Sequence, residues 1–196
     1  MSTSPGRKQI THERIVEAAA RAIRRAGFGG VGVADIMHEA GLTHGGFYAH
    51  FASRDALLCE AIERAGMDSA ARIARSSSIR QAQGASPLLA FVENYLSDRH
   101  LASMESGCPV AALASEMPRQ SPAVGQAAAQ RVRGLIAAVR GVLPPSASRD
   151  AAAAIASQLV GALQLARALG DNAEGKAMLA ATRRTLVERY DTAASR

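Results

Sequence analysis

The sequence predicts an all-α fold in two parts, a short N-terminal bundle and a longer helical body, with about nine helices in all. Three observations carry this. No run of alternating β-branched and polar residues marks a strand. Glycine, proline and serine interrupt the chain at helix-length intervals. Between those breaks, apolar residues recur three and four apart.

The elements follow in order. Residues 1–10 read as a loose basic arm. A first helix starts near Thr11, with Glu13 and Glu17 in its early turns and Arg24 and Arg25 near its end, an order that suits the helix dipole. Ile15, Ala19, Ala22 and Ala26 form its inward stripe, and Gly27 ends it. Short helices are expected over 33–40, stopped by Gly41, and over 43–50. Ser53 caps a fourth helix running to about residue 76. "SSSIRQAQGASP" then reads as a loop into the second part. Ser86-Pro87 and Ser121-Pro122 each place a capping residue before proline at the first helical position. They start helices over 86–103 and 121–143, with a shorter one over 109–117 between them. Helix 149–169 carries Ala152, Ile155, Leu159, Ala162, Ala166 and Leu169 at alternating three and four spacing, a coiled-coil-like seam. A last helix over 173–192 carries Met178, Leu179, Thr182, Leu186 and Tyr190 on a related stripe. The boundaries become 1–10 for the arm, 11–52 for the first bundle and 53–196 for the body, with 53–76 as the connecting helix.

Bulk properties narrow the class. The chain has 196 residues, 48% of them hydrophobic, as in an ordinary globular protein. No apolar run reaches the roughly 20 residues of a membrane span. The stretch "MSTSPGRKQITHER" lacks the apolar centre of a secretion signal. A cytoplasmic protein without a membrane partner is expected. Cys59 and Cys108 do not make a disulfide framework. The net charge of +6 is compatible with a polyanion partner. Arginine supplies nearly all of the positive charge, since only Lys8 and Lys176 are lysines.

"GLTHGGFYAHFASRDALL", residues 41–58, is the most informative stretch. It sets Gly45 and Gly46 beside Phe47 and Tyr48, although glycine inside a helix costs about 1 kcal/mol relative to alanine. A short helix, a tight turn at Gly41 and a second short helix make a helix-turn-helix, whose second helix enters the DNA major groove. Two glycines in its first turn let backbone approach DNA closely. Thr43 is placed to cap that helix and touch phosphate, and Tyr48 to reach phosphate with its hydroxyl. Phe47 and Phe51, four apart, share the inward face.

The segment "GFGGVGVADIMHEAGLTHGGFYAHFASRDALL" also resembles the DNA-binding domain of TetR/AcrR-type transcriptional regulators, without a gap from about Ile15 to Leu58. Its marks are Gly27-Phe28, Val33, Ile36, Ala40-Gly41, Gly45, Phe47-Tyr48, His50-Phe51 and Leu57. The resemblance implies a homodimer that pairs through helices 149–169 and 173–192, binds a double-stranded DNA operator and is released from it by a small-molecule effector. It places DNA contacts on Thr43, His44, Gly45, Gly46, Tyr48, His50 and Arg54. The chain departs from the family pattern at His12, where arginine is frequent, and at Gly32, where serine or threonine is common. His44 and Arg54 each replace a frequent lysine. Fewer permanent charges imply a shallower salt slope, at about −0.9 per phosphate contact. They also imply operator affinity that falls as histidines deprotonate near pH 6.5.

Other chemistry is weaker. His38, His44 and His50 are six apart, a rotation of about 240° per step on a helix, so they do not form a metal face. No metal or cofactor is expected. Cys108 precedes Pro109 at an expected helix start, where thiolates are favoured, giving an alternative reading as a thiol-based redox or electrophile sensor. A helical-bundle enzyme is the remote alternative: the chain carries no Glu-x-x-His pair and no phosphate loop. Helices 86–103, 109–117, 121–143 and 149–169 are expected to enclose the effector pocket. Its candidates are Phe91, Tyr95, Met104, Cys108, Met117, Leu163, Gln164 and Arg167, with Arg167 available to a ligand carboxylate. Cys59 is expected in the core.

Overall fold

The structure, a computed structural model, describes residues 6–191. Among them are nine α-helices, two short 3₁₀ turns and no strand. The helices are α1 (Arg7–Ala26), α2 (Val33–Glu39), α3 (Arg54–Ala82), α4 (Pro87–Tyr95), α5 (Asp98–Ala102), α6 (Pro109–Leu113), α7 (Pro122–Val142), α8 (Ala151–Leu169) and α9 (Ala173–Tyr190). The 3₁₀ turns are His44–Ala49 and Met117–Arg119.

Several boundaries move for identifiable reasons. α1 begins at Arg7 rather than Thr11, so the last part of the expected loose arm is helical; residues 1–5 lie outside the described residues. The stretch over 76–82 continues α3 instead of forming a loop, because no breaker precedes Gly84. The expected helix over 86–103 is two helices. Ser86 Oγ accepts from Leu89 N at 3.0 Å to start the first, and Ser97 Oγ accepts from His100 N at 3.2 Å to start the second. The expected helix over 43–50 is instead a tight 3₁₀ turn over His44–Ala49, a short form that suits a segment with two adjacent glycines.

Two apolar cores form. The head core joins Ile15, Ala19 and Ile23 of α1 with Ile36 and Met37 of α2, Phe47 and Phe51, and Leu57, Leu58, Ala61, Ile62 and Ala65 of α3. It also takes in Leu113, Met117, Val124 and Ala128 from the body. Cys59 is half-buried against it, and Ala26 is exposed. The body core joins α4, α6, α8 and α9 through Tyr95, Val110, Ile155, Leu159, Leu163, Leu179 and Leu186. The seam read on 149–169 is therefore an internal face of one protomer, except for Leu169, which is exposed. α8, with 19 residues and a mean hydropathy of 1.3 over an 18-residue window, is long and apolar enough by length and composition alone to cross a membrane. Here its inner face packs on α9 and the body core.

Head and body are bolted together by two charged residues. Arg24 is buried near the end of α1, donating to Ala20 O at 2.8 Å, Gly107 O at 3.3 Å and Ala65 O at 3.5 Å. Burial lowers its pKa to about 10, which leaves it charged at neutral pH. Glu116 reaches back from the body and accepts from Phe28 N at 2.9 Å. Gly27 lies under that carboxylate with φ +78°, and a Cβ there would collide with it. Gly27→Ala is expected to destabilise the protein by about 1–3 kcal/mol, through both the left-handed backbone and the displaced carboxylate. Gly125→Ala, on α7 with open space around it, is expected to be neutral or stabilising by up to about 1 kcal/mol. Urea unfolding of both variants checks the contrast.

Candidate nucleic-acid interface and body cavity

Beyond α2 and its C-cap Ala40, Gly41 with a φ of +69° turns the chain sharply. Gly41 N donates to His38 O and Leu42 N to Met37 O, both at 2.9 Å, closing the end of the helix. Arg14 of α1 donates to Ala40 O and fixes this turn against the first helix. The chain then enters the 3₁₀ turn through Thr43, which takes the N-cap position but makes no side-chain cap. Phe47 points inward and stacks on Phe51, with ring centroids 5.5 Å apart. Tyr48 packs edge-on against Phe47 yet remains 73% exposed. Thr43, His44, Gly45 and Ala49 are also exposed, so the outward face of the turn is hydroxyl, imidazole and bare backbone.

Three basic positions near this turn are engaged inside the chain. Arg54 donates to Phe28 O and Val31 O, tying the start of α3 to the loop after α1. His12 stacks on Phe51 at 4.5 Å and pairs with Glu60 at 2.7 Å. His50 is half-buried, and its Nδ1 has no hydrogen-bond partner among the described residues. Burial first, then the charges of His12 and Lys8, lower its pKa. Gly32 N is capped from within by Asp35 Oδ2 at 3.1 Å.

The body carries a half-open cavity of about 450 Å³ between α3, α4, α6 and α7, with Ala70, Ala74, Gly134 and Ala138 at its exposed edge. One wall is a stripe of α3: Gly66, Ser69, Ala70, Ile73, Ala74, Ser77, Ser78 and Gln81. At 1.5 Å per residue this wall is about 22 Å long. Phe91 and Tyr95 of α4, Cys108 beside α6, and Arg131 and Leu135 of α7 complete the other sides.

The sequence pattern of "Bacterial regulatory proteins, tetR family" matches residues 15–62, which span the helix-turn-helix. The HTH-type transcriptional regulator Rv0196 of Mycobacterium tuberculosis, described as uncharacterized, is 32% identical over 175 residues, covering 83% of this chain and 87% of that one. The chain belongs to the tetR family of transcriptional regulators. A TetR-family regulator from Agrobacterium tumefaciens shares the fold, with a TM-score of 0.75 at 23% identity over 93% of this chain and 98% of that one. A TetR regulator from Chloroflexus aurantiacus shares it with a TM-score of 0.72 at 23% identity over 92% of this chain and 94% of that one. This tetR-family protein is thus a DNA-binding regulator and not an enzyme.

In this regulator Phe91, Tyr95 and Cys108 line the cavity, but five other expected pocket residues do not. Met104 is exposed. Met117 packs in the head core and Leu163 in the body core. Gln164 is half-buried on α8, which contributes nothing to the lining. Arg167 Nη2 is held by His100 O at 2.9 Å and Ser103 O at 3.4 Å. The wall that sequence reading missed is α3, along with Arg131. Its signal was the run of small residues three and four apart from Gly66 to Ser78. Cys108 is 5% exposed and makes no side-chain cap; the helix after it has five residues. No group of three or more metal-ligating side chains converges among the described residues.

His100 anchors the loop that carries Cys108. Its Nδ1 meets Tyr95 O at 2.6 Å, and its Nε2 accepts from Cys108 N at 2.9 Å. Both bonds together require a neutral ring with the proton on Nδ1. Burial lowers its pKa to about 4. The folded value lies below the unfolded one, so the unfolded chain binds the proton more tightly. The stability this residue contributes is complete above about pH 6.5 and is lost as pH falls through about 4. Wild-type unfolding free energy is expected to drop by about 2 kcal/mol between about pH 7.5 and pH 5. His100→Gln, with a donor and an acceptor but no titration, is expected to lose most of that slope in urea unfolding at the two pH values.

Proposed function

We propose that this chain is a ligand-responsive repressor: a homodimer that holds a palindromic operator and leaves it when a small molecule fills the body cavity. One observation carries the reading. The recognition turn and the cavity wall are joined by a single rigid element, α3, whose first three turns fill the head core while residues 66–81 line the cavity. A ligand that shifts this wall must also shift the head. Switching a dimer from 99:1 to 1:99 requires about 10⁴-fold tighter effector binding to the released state.

Thr43, His44, Gly45, Gly46 and Tyr48 make the DNA surface in this reading. Arg54 and His50 act mainly by positioning it, because their groups are turned into the head. Pairing runs through the outward faces of α8 and α9. Leu165 is 57% exposed there, beside small residues at Ala154, Gly161 and Ala168. A cytoplasmic location follows from the operator partner.

Selection of bound fragments from a random DNA pool tests the reading: a recovered palindrome supports it, and an asymmetric or absent site contradicts it. On the selected duplex, Gly46→Ala and Tyr48→Ala are each expected to weaken binding about tenfold or more, about 1.4 kcal/mol. Their circular dichroism and melting temperature are expected to be unchanged. A Cβ on Gly46 meets only Met37 Cε at an ordinary 3.6 Å, so any loss reports on DNA approach rather than on folding.

A further inference from the structure

The cavity wall is chemically one-sided. It supplies hydrogen-bond donors and a cation but no carboxylate: its lining contains no Asp or Glu. Arg131 reaches it from α7 and makes no ion pair or hydrogen bond among the described residues. Its stem lies across the backbone of α3 at Gly66, where a Cβ would stand 2.5 Å from Arg131 Cδ. A glycine in the middle of this long helix is thus the notch that seats the arginine. Tyr95 is 0% exposed, lines the cavity, and its hydroxyl has no hydrogen-bond partner among the described residues. It lies close enough to the Cys108 thiol to be influenced by it.

These two donors belong to the same end. Arg24 bridges Ala65 O and Gly107 O, which places Gly66, with Arg131 over it, near Cys108 and therefore near Tyr95. This is the end next to the head. Farther along, Ile73, Leu135, Ala138 and Val142 supply apolar surface, with Ser77, Ser78 and Gln81 of α3 beside it.

We propose that the effector is an organic anion with an extended apolar body. Its anionic group is held by Arg131 with the Tyr95 hydroxyl as second donor, and its apolar part lies along α3 toward Val142. A buried phenol and an unpaired guanidinium each gain an acceptor from such a ligand, and a charge-assisted bond to arginine is the stronger of the two. A cationic ligand would find no counter-charge. The inference rests on the reading of this cavity as the effector site.

The test uses matched probes on the full-length protein: decanoate against 1-decanol, and 4-phenylbutyrate against 4-phenylbutanol, by isothermal titration calorimetry. At least one carboxylate is expected to bind about tenfold or more tightly than its alcohol. Arg131→Gln is expected to abolish that preference by weakening the carboxylate more than the alcohol, and Tyr95→Phe to reduce it. The tyrosine variant keeps the ring and removes only the hydroxyl with its weak contact to the Cys108 thiol, so it reports even if the arginine variant folds poorly. Equal or tighter binding of both alcohols, no binding of either carboxylate, or a preference that survives both substitutions overturns the proposal. Operator affinity measured in the same samples separates the two claims. Carboxylate binding that depends on Arg131 but leaves operator affinity unchanged supports the anion site and contradicts the effector reading.

Discussion

The structure depends on α3 being packed by different partners along its length, the head over its first three turns and the body from there to about Ser77. Leu57, Leu58, Ala61, Ile62 and Ala65 are packed into the head, so the recognition turn has no core without them. One turn later, the same helix presents Gly66, Ser69 and Ile73 to the cavity. Arg24 sits at the changeover, its guanidinium shared between the α3 backbone at Ala65 and the loop at Gly107. Because a buried guanidinium is costly to leave unmatched, the two carbonyls and the charge constrain each other. Glu116 repeats the arrangement from the other side, satisfying the Phe28 amide over Gly27.

This coupling uses several of the head's arginines inside the chain. The arginines that might have met phosphate are used for internal registration: Arg14 on Ala40, Arg54 on Phe28 and Val31, Arg25 between Glu39 and Glu105. In the proposed reading the turn itself offers a groove short, stiff groups, Thr43, His44, two glycines and an aromatic ring braced on Phe47, with the exposed Arg7 and Lys8 of α1 as the flexible cations nearby. Such a surface depends on close backbone approach more than on long flexible cations, which makes the placement of the turn decisive.

The features legible in the sequence were those written over a few neighbouring residues. Gly41 as the turn, Phe47 and Phe51 as the inward pair, and Ser53 and Ser86 as caps follow from local chemistry alone. Features that need two distant segments were not legible. Arg24 reads locally as a cation suited to a helix C-terminus, and only Ala65 and Gly107 show that it is buried. α3 reads as a connector, and its small residues become a wall only when α7 lies opposite. The seam on α8 reads as an interface stripe, although Ile155, Leu159 and Ala166 close the core of a single protomer. Periodicity tells which face is apolar but not what covers it.

The most direct test of the account is hydrogen exchange of the full-length protein with and without its selected operator duplex, followed by mass spectrometry. Binding at the recognition turn is expected to slow exchange there and also along residues 69–81 of α3, which line the cavity and touch no DNA. Slowed exchange confined to the head, with that stretch of α3 unchanged, would show that the helix does not link the two ends and would contradict the account.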